Sequence, residues 1–416
     1  MSGELSAMPP PARRAHRYPP PRSSAVDVPE EYARLRAEEP LAPVVLPSGD
    51  AGYLVSRYED VRAVLSDPRC SRAATVRPEA PKLTAVPFDA GGLFTMDPPE
   101  HTRLRALVSR AFTPRRVARM RPRLAQLAGS LADSLADAGP PADLNAAFAF
   151  PFPVAVICEL LGVPYADRER FRTWSDAVLS LTAHTPQEML RHKEALLAYL
   201  ARLVAAKRRE PGEDLLSALV TVRDEDGGLT EQELLTLAMT LLIAGHETTA
   251  GVLGTSVFTL LRHPGGMARV PDDEEELSAL VEELLRINPL GDGGPLRVTT
   301  RPVEVAGHTL PANSAVIASV CSANRDGSRF PEPDRFDPGR FDPARARTGT
   351  AAGHLAFGHG PHYCLGAPLA RAELAVALRT LADRFPTLRL AVPVEDVTMH
   401  TGLLVNRLTR LPVTWD

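Results

Sequence analysis

Cysteine is scarce in this sequence, which has Cys70, Cys158, Cys321 and Cys364 in a chain of 416 residues. A disulfide framework needs more cysteines for a chain of this length, and the spacings do not match a zinc ribbon. The scarcity excludes a disulfide-rich secreted protein. It predicts a reducing environment, and we therefore expect a cytoplasmic protein.

Long hydrophobic runs are also missing. The most apolar stretch, residues 144–163, is interrupted by Asn145, Pro151, Pro153 and Glu159. A membrane-spanning helix would need about 18 or more consecutive apolar residues. We therefore expect no membrane anchor. No apolar block follows the basic residues near the start of the chain, so we also expect no export signal.

The interior of the chain lacks a Gly/Ser-rich or strongly charged linker. We therefore predict one large domain over residues 26–416, preceded by a disordered Pro/Arg-rich leader over residues 1–25. A net charge of −4 argues against general nucleic-acid binding. The charge is unevenly distributed, because residues 101–123 contain eight arginines and no acidic residue.

Helical patterns dominate what is present. The apolar spacing and the start and stop residues predict helices at 97–111, 230–261, 272–288 and about 364–385. The second opens with a capping box, Thr230-Glu231-Gln232-Glu233. Short strand-like runs at 303–305 and 315–320 are predicted to be joined by a turn at Gly307 and Pro311. The predicted fold class is mainly α with small β-sheets.

The loop at residues 357–366 (Phe-Gly-His-Gly-Pro-His-Tyr-Cys-Leu-Gly) brings Cys364 to the start of a predicted helix. Its glycines allow the backbone to approach a flat ligand closely. The helix dipole and the free amide donors of the first turn favour a thiolate, which is the form that binds metals. Cys364 is therefore the candidate metal ligand, and the other three cysteines are interpreted as inert core residues.

A second element, residues 244–249 (Ala-Gly-His-Glu-Thr-Thr), places a carboxylate and hydroxyls inside the apolar long helix. Burying Glu247 is costly unless it has a partner or a task. The Thr248 hydroxyl can donate to the Ala244 carbonyl, and with Gly245 this bond could loosen the helix and form a pocket for a small ligand. The alternative is a purely structural Glu–Thr pair, which is commoner in general.

Both elements resemble those of the cytochrome P450 family, and the resemblance extends from about residue 28 to residue 415. The family's heme-binding signature is matched at Phe357, Gly358, Gly360, His362, Cys364 and Gly366. The pair Glu247 and Thr248 resembles the family's acid–alcohol pair. The resemblance implies a cytochrome P450 fold in a single large domain, with the long helix over the heme and with Cys364 as the ligand of its iron.

The resemblance also assigns roles to residues that are uninformative alone. Residues expected to contact heme b (iron-protoporphyrin IX) are Phe357, Gly358, His362, Cys364, Gly366, Ala244, Gly245, His101, Arg105 and Arg297. Of these, His101, Arg105, Arg297 and His362 are expected to neutralise its two carboxylates. Glu247 and Thr248 are the expected catalytic residues, relaying protons for dioxygen activation. Glu283 and Arg286, paired with a downstream arginine matched by Arg335, are expected to be structural.

The function implied is that of a monooxygenase, which inserts one oxygen atom from O2 into a lipophilic small molecule by hydroxylation or epoxidation. Small and apolar residues in the expected pocket walls (73–93, 182–188, 290–296 and 399–404) are compatible with such a substrate. Soluble bacterial members of the family often modify polyketides, peptides or terpenoids, so the resemblance favours a natural-product intermediate.

Electrons must reach the heme from another protein, because the chain has neither a flavin fingerprint nor a cysteine set for an iron–sulfur cluster. We expect a ferredoxin-type partner with its reductase. Arg110, Arg115, Arg116 and Arg119 could form a basic docking face for an acidic ferredoxin. The alternative is that these arginines serve only solubility.

Three alternatives stay open. One is an enzyme of the same fold that performs peroxide-driven or oxidative coupling chemistry. Another is a catalytically silent module of this fold that binds a partner protein. The third is a zinc site or hydrolytic nucleophile built from Cys364, His359 and His362, which has suitable residues but not the usual spacing.

Overall fold

The computed structural model describes residues 15–22, 27–84, 86, 89–226, 228–291, 294–343 and 353–416. The helices are α1 (Glu31–Glu38), α2 (Tyr58–Ser66), α3 (Glu100–Ser109), α4 (Pro114–Ala138), α5 (Pro151–Leu161), α6 (Arg168–Val178), α7 (Pro186–Arg209), α8 (Leu215–Asp226), α9 (Glu231–Leu261), α10 (Glu274–Ile287), α11 (Val320–Ala323) and α12 (Ala367–Arg384). The strands are β1 (His16–Arg17), β2 (Leu41–Val45), β3 (Ala51–Val55), β4 (Cys70–Ser71), β5 (Ala142–Asp143), β6 (Leu296–Thr299), β7 (Val303–Val305), β8 (His308–Leu310), β9 (Ala315–Ala318), β10 (Arg389–Leu390) and β11 (Pro412–Thr414).

All four predicted helices are confirmed as α3, α9, α10 and α12. The capping box of α9 is formed, because the Thr230 hydroxyl accepts from the Glu233 backbone N–H at 3.1 Å and the Glu233 carboxylate accepts from the Thr230 N–H at 2.8 Å. With 31 residues, α9 is about 46 Å long. Among the described residues, none of the helices combines the length and apolar character that crossing a membrane requires.

The chain divides into two compact units, each made of non-contiguous segments. The first comprises described residues of 1–103, 291–335 and 352–364, and the second those of 104–290, 336–351 and 365–416. The segments of the two units interleave along the chain, so no linker separates them. The units do not contradict the predicted single large domain over residues 26–416.

A six-stranded sheet in the order β1-β2-β3-β9-β6-β4 organises the first unit. Its first strand falls inside the leader expected to be disordered: His16 pairs with Val44, and Tyr18 is buried in the core beneath the sheet. The leader expectation therefore does not fit this segment, because the sheet supplies hydrogen bonds and apolar cover that composition does not reveal. Residues 1–14 and 23–26 of this region lie outside the described residues.

The predicted turn between the runs at 303–305 and 315–320 is wrong. β7 instead pairs with β8 through a two-residue turn, Ala306 and Gly307, both at positive φ. β9 joins the larger sheet between β3 and β6 and ends at Ala318, where the chain turns into α11. The sequence contains a two-residue turn between alternating strands, which favours a hairpin.

Helices dominate the second unit, where α9 packs against α5 and α12 packs against α4. A three-stranded sheet in the order β10-β11-β5 lies in the same unit. α9 is buried along nearly its whole length, which agrees with its apolar composition. It is a continuous α-helix through residues 244–249, so the expected loosening there is not observed.

Candidate functional site

Cys364 stands at the end of a tightly closed glycine loop in the first unit. Its backbone N–H donates to the Phe357 carbonyl at 2.9 Å, and the Gly358 N–H donates to the Leu355 carbonyl at 2.8 Å. Gly360 has φ +70°, and a Cβ there would lie 2.8 Å from the Leu65 carbonyl oxygen. The loop therefore requires glycine at this position and holds Cys364 two residues before Gly366, the N-cap of α12.

The four cysteines differ in exposure as the sequence predicted. Cys364 is exposed, whereas Cys70, Cys158 and Cys321 are buried. Burial raises the pKa of Cys70 to about 11 and that of Cys158 to about 12, so both thiols remain protonated at neutral pH. Cys364 is the cysteine in this set whose sulfur an external group can reach.

The cysteine loop is anchored by residues that sequence reasoning did not assign to it. The Asn324 side chain accepts from the Leu355 N–H at 2.7 Å. Asp326 accepts from the Tyr58 N–H at 2.8 Å, and the Tyr58 hydroxyl donates to the Gly353 carbonyl at 2.6 Å. These bonds tie the segment that precedes the loop, residues 353–355, to α2 and to the end of α11. The resemblance includes Asn324 and Asp326, but it assigned them no role. The structure shows that both side chains accept backbone N–H groups.

Two expected carboxylate ligands, His101 and His362, meet in the first unit. Their ring centroids are 4.2 Å apart, and His101 is buried. Arg105 lies one turn further along α3 and is half-buried. Arg297 on β6 is almost fully buried, and its Nη2 has no hydrogen-bond partner. Burial lowers the pKa of Arg297 to about 10, against the opposing charge of Asp97.

A buried guanidinium nitrogen without a partner is costly, and an anionic ligand would satisfy it. The propionates of heme provide such an anion. The exposed position of Cys364 at the end of its glycine loop suits a thiolate ligand to a metal-containing group. The residues of the first unit therefore fit heme.

The zinc alternative finds no support. Among the described residues, no group of three or more His, Cys, Asp or Glu side chains is arranged to hold a metal ion. His359 accepts a hydrogen bond from the Arg62 guanidinium at 3.3 Å, and His362 packs against His101. Neither histidine is therefore committed to a shared metal with Cys364.

In the second unit, Glu247 on α9 is buried within a charged network that the sequence did not reveal. Arg407 donates from Nη1 to Glu247 Oε2 at 2.8 Å, and its Nη2 lies 2.6 Å from Asp176 Oδ1. His246 Nε2 lies 3.2 Å from Glu247 Oε1. Burial acts to raise the pKa of Glu247, but His246 and Arg407 outweigh it, so this pKa lies below its ordinary value.

The hydroxyl of Thr248 donates to the Ala244 carbonyl at 2.7 Å, as predicted. Gly245 has a packing role, because a Cβ there would lie 2.5 Å from Ile157 Cδ1 on α5. This close approach explains why glycine stands at this position. The expected contacts of Ala244 and Gly245 with a cofactor stay predictions.

Glu283 and Arg286 form a fully buried pair on α10, with Arg286 Nε 2.7 Å from Glu283 Oε2. The downstream partner is Arg340, not Arg335 as expected. Arg340 Nε lies 3.1 Å from Glu283 Oε2, and the Asp337 N–H donates to Glu283 Oε1 at 2.9 Å. Arg335 is exposed and pairs with Glu332 one turn back at 2.9 Å, so its charge remains in solvent.

The basic residues after α3 form an exposed surface. Arg115, Arg116 and Arg119 on α4 line a cleft of about 770 Å³. Its lining also contains apolar residues (Met120, Leu124) and acidic residues (Glu159, Glu213, Asp214). Arg110 is exposed in the short turn before α4. Within the described part of the chain these four arginines have no ion pair. Their charge is therefore available to an acidic partner.

A mainly helical protein that presents one exposed cysteine in a glycine loop, together with a buried arginine that has an unsatisfied donor, is of the heme-thiolate class. Comparison with known proteins gives the same answer. The Cytochrome P450 family model matches residues 194–409. The chain belongs to the cytochrome P450 family, and it is a monooxygenase.

Relatives match along nearly the whole chain. Nocardicin C N-oxygenase of Nocardia uniformis subsp. tsuyamanensis is 50% identical, over 94% of this chain and 96% of its own. Mycinamicin IV hydroxylase/epoxidase of Micromonospora griseorubida is 45% identical, over 92% of this chain and 94% of its own. The crystal structure of SgvP, involved in the tailoring step of griseoviridin, aligns with a TM-score of 0.91 at 45% identity, covering 97% of this chain and 100% of that one.

Proposed function

We propose that this monooxygenase hydroxylates or epoxidises a lipophilic natural-product intermediate, using heme b held by Cys364 and electrons from a ferredoxin and its reductase. The observation that carries the proposal is the exposed Cys364 in its glycine loop, within a chain half identical to an oxygenase that acts on nocardicin C. A second relative is named for a hydroxylase and epoxidase of mycinamicin IV, which supports an intermediate of this kind.

Cys364 would hold the heme through its sulfur, with Arg297, His101, His362 and Arg105 facing the carboxylates. When bound, heme supplies dioxygen activation and substrate oxidation. The protein contributes the thiolate, the buried cations and a protected route for protons. Part of the expected substrate pocket, residues 85, 87, 88, 292 and 293, lies outside the described residues.

We propose that Glu247 accepts and transfers protons at its Oε1 atom. Arg407 fixes Oε2 at 2.8 Å, while Oε1 is buried and has no aligned hydrogen bond. A buried carboxylate oxygen in this condition is a strong acceptor for a water molecule. Asp176, the other partner of Arg407, is partly exposed and connects the network to solvent. Because the Arg407 guanidinium retains its protons, we propose that a water molecule bound at Oε1, and not the arginine, carries the proton.

Thr248 is proposed to position water rather than to donate its own proton. Its hydroxyl hydrogen is committed to the Ala244 carbonyl, so its oxygen remains available only as an acceptor. Thr248→Ala should therefore divert electrons from product to peroxide, whereas Thr248→Ser, which retains the hydroxyl, should behave like wild type. If product per electron is unchanged in Thr248→Ala, this role is wrong.

The primary test is the absorption spectrum of the purified protein, ferric and then reduced under carbon monoxide. Wild type is expected to show the red-shifted Soret band of thiolate ligation, and Cys364→Ser is expected to lose it. Cys321→Ala, which removes a buried cysteine of the same unit, is the matched control and should retain the band. A wild-type protein that binds no heme would refute the proposal.

Binding of the redox partner can be tested separately. Arg115→Glu with Arg116→Glu reverses two unpaired charges on α4 and should slow reduction by an acidic ferredoxin, most strongly at low salt. The control is Arg202→Glu with Arg209→Glu on α7, where two exposed arginines change by the same charge. Equal reduction rates for the two double variants would exclude α4 as the docking face.

A further inference from the structure

Arg72 was not identified from the sequence. The residue is half-buried, its Nε atom is buried, and it lies within reach of the charge of Arg297. Arg72 directly follows β4, whose last residue, Ser71, pairs with Val298, the neighbour of Arg297 on β6. Burial and the charge of Arg297 lower the pKa of Arg72 well below its ordinary value, and Asp97 opposes them. The two guanidinium groups are thus close enough for their charges to interact, and each has a buried nitrogen.

Among the described residues, Asp97 is the carboxylate whose charge acts on both arginines, and it is already in use. Asp97 accepts from the Ser71 hydroxyl and, at 2.8 Å, from the Arg72 backbone N–H. The Arg72 side chain donates from Nη1 to the Phe94 carbonyl at 3.3 Å and lies 5.7 Å from the Phe94 ring centroid. Both Arg72 Nε and Arg297 Nη2 are buried without a hydrogen-bond partner. Counting described residues alone, the region therefore has two cations, one committed anion and two unsatisfied donors.

We propose that Arg72 and Arg297 together bind a carboxylate, with Arg72 as a ligand that the heme-binding residues predicted above do not include. Planar guanidinium groups suit carboxylates because they donate two parallel hydrogen bonds. An anion placed between them would satisfy both donors and remove the repulsion between the two charges. This inference rests on the heme-binding function proposed above.

The carboxylate has two possible sources with the same chemistry: a heme propionate, or an acidic group of the substrate. The first source would make Arg72 important for retaining heme. The second would make it important for selecting acidic over neutral ligands. The two sources predict different effects of one variant, Arg72→Gln, which retains a polar hydrogen-bonding group but is shorter and removes the charge.

The first arm measures the rate of heme transfer from the holoenzyme to excess apomyoglobin. If Arg72 binds a propionate, Arg72→Gln should release heme about tenfold faster, because a charge-assisted hydrogen bond is lost. Arg72→Lys should be intermediate, since it retains the charge without the planar fork. Arg77→Gln, which removes an exposed arginine five residues away, should match wild type.

The second arm measures ligand binding to the holoenzyme by the shift of the Soret band. The probes are 4-(imidazol-1-yl)benzoate and its neutral counterpart 1-phenylimidazole, which differ by one carboxylate. If the substrate supplies the anion, Arg72→Gln should weaken the benzoate about tenfold and leave 1-phenylimidazole unchanged. Heme release should then stay at the wild-type rate.

A purely structural role for Arg72 gives a different pattern. Phe94→Leu removes the ring beneath the guanidinium but retains its charge, so carboxylate binding should survive this substitution. The proposal is overturned if neither arm responds to Arg72→Gln, or if Phe94→Leu reproduces its effect. A wild-type protein without heme would instead refute the proposed function, so the two failures are distinguishable.

Discussion

Removing Arg407 tests whether the buried network around Glu247 contributes to stability. Arg407 and Glu247 are both almost fully buried, with 8% and 2% of their side chains exposed, and are joined at 2.8 Å. In Arg407→Met the apolar stem is largely retained, but Glu247 remains as a buried carboxylate that has lost its arginine. Breaking a buried pair in this way costs about 3–5 kcal/mol.

The structure places the expected loss near the lower end of that range. Asp176, the second partner of Arg407, is 25% exposed and can be hydrated when the arginine is removed. His246 remains 3.2 Å from Glu247. We therefore expect Arg407→Met to lower the free energy of unfolding by about 3 kcal/mol at neutral pH.

The loss should depend on pH in a defined direction. In wild type the pKa of Glu247 lies below its ordinary value of 4.5, so its pairing stabilises the protein above about pH 4.5 and is lost as pH falls through the folded-state pKa. Without Arg407, burial raises that pKa, and the folded state retains the proton to higher pH. The difference between variant and wild type should therefore be larger at pH 8 than at pH 5.

Urea unfolding of the holoenzyme, followed by circular dichroism at pH 5, 6.5 and 8, measures both effects. Arg407→Met with Glu247→Gln should regain at least half of the loss, because no buried charge is left alone. Arg389→Met is the control: its pair with Asp416 has a similar length, 2.9 Å, but is exposed, so it should cost less than about 1 kcal/mol. Equal losses in Arg407→Met and Arg389→Met would refute the reasoning.

Two further predictions concern buried positions of the second unit. Burial raises the pKa of Glu373 well above 4.5, so its folded state retains a proton that the unfolded state loses, and stability should fall as pH rises above that value. Glu373→Gln should therefore raise the melting temperature more at pH 8 than at pH 5; a constant difference would contradict this. Gly251→Ala should cost about 1–3 kcal/mol, because a Cβ would lie 2.5 Å from the Asn406 carbonyl oxygen. Gly129→Ala on α4, where a Cβ meets nothing within 4 Å, should instead gain about 0.5–1 kcal/mol in the same urea assay, and equal signs would refute the packing argument.

Features that depend on neighbouring residues could be predicted from the sequence. The capping box that starts α9 and the bond from Thr248 to Ala244 each join residues three or four positions apart. The glycine loop before Cys364 is also local, since its closing bonds span at most seven residues. In each case the partner is fixed by the geometry of one turn, so residue type and spacing suffice.

The hairpin of β7 and β8 has a local sequence signature, but the prediction assigned the turn to the wrong pair of strands. Ala306 and Gly307 separate two short alternating runs, which is the spacing of a two-residue hairpin turn. The later strand β9 is more apolar than β8, and the prediction therefore paired β7 with β9. Its actual partners, β3 and β6, are set by the sheet as a whole, which the sequence near β9 does not describe.

Partners of buried charges could not be predicted, for a physical reason. Arg335 and Arg340 are five residues apart and chemically identical, and only the position of the chain relative to α10 decides which one reaches Glu283. Arg407 is 160 residues from Glu247. A carboxylate in an apolar helix indicates that a counter-charge exists, because burying it alone is too costly. It does not indicate where in the sequence that charge lies, so the residues that tune a buried acid become visible only when the fold is known.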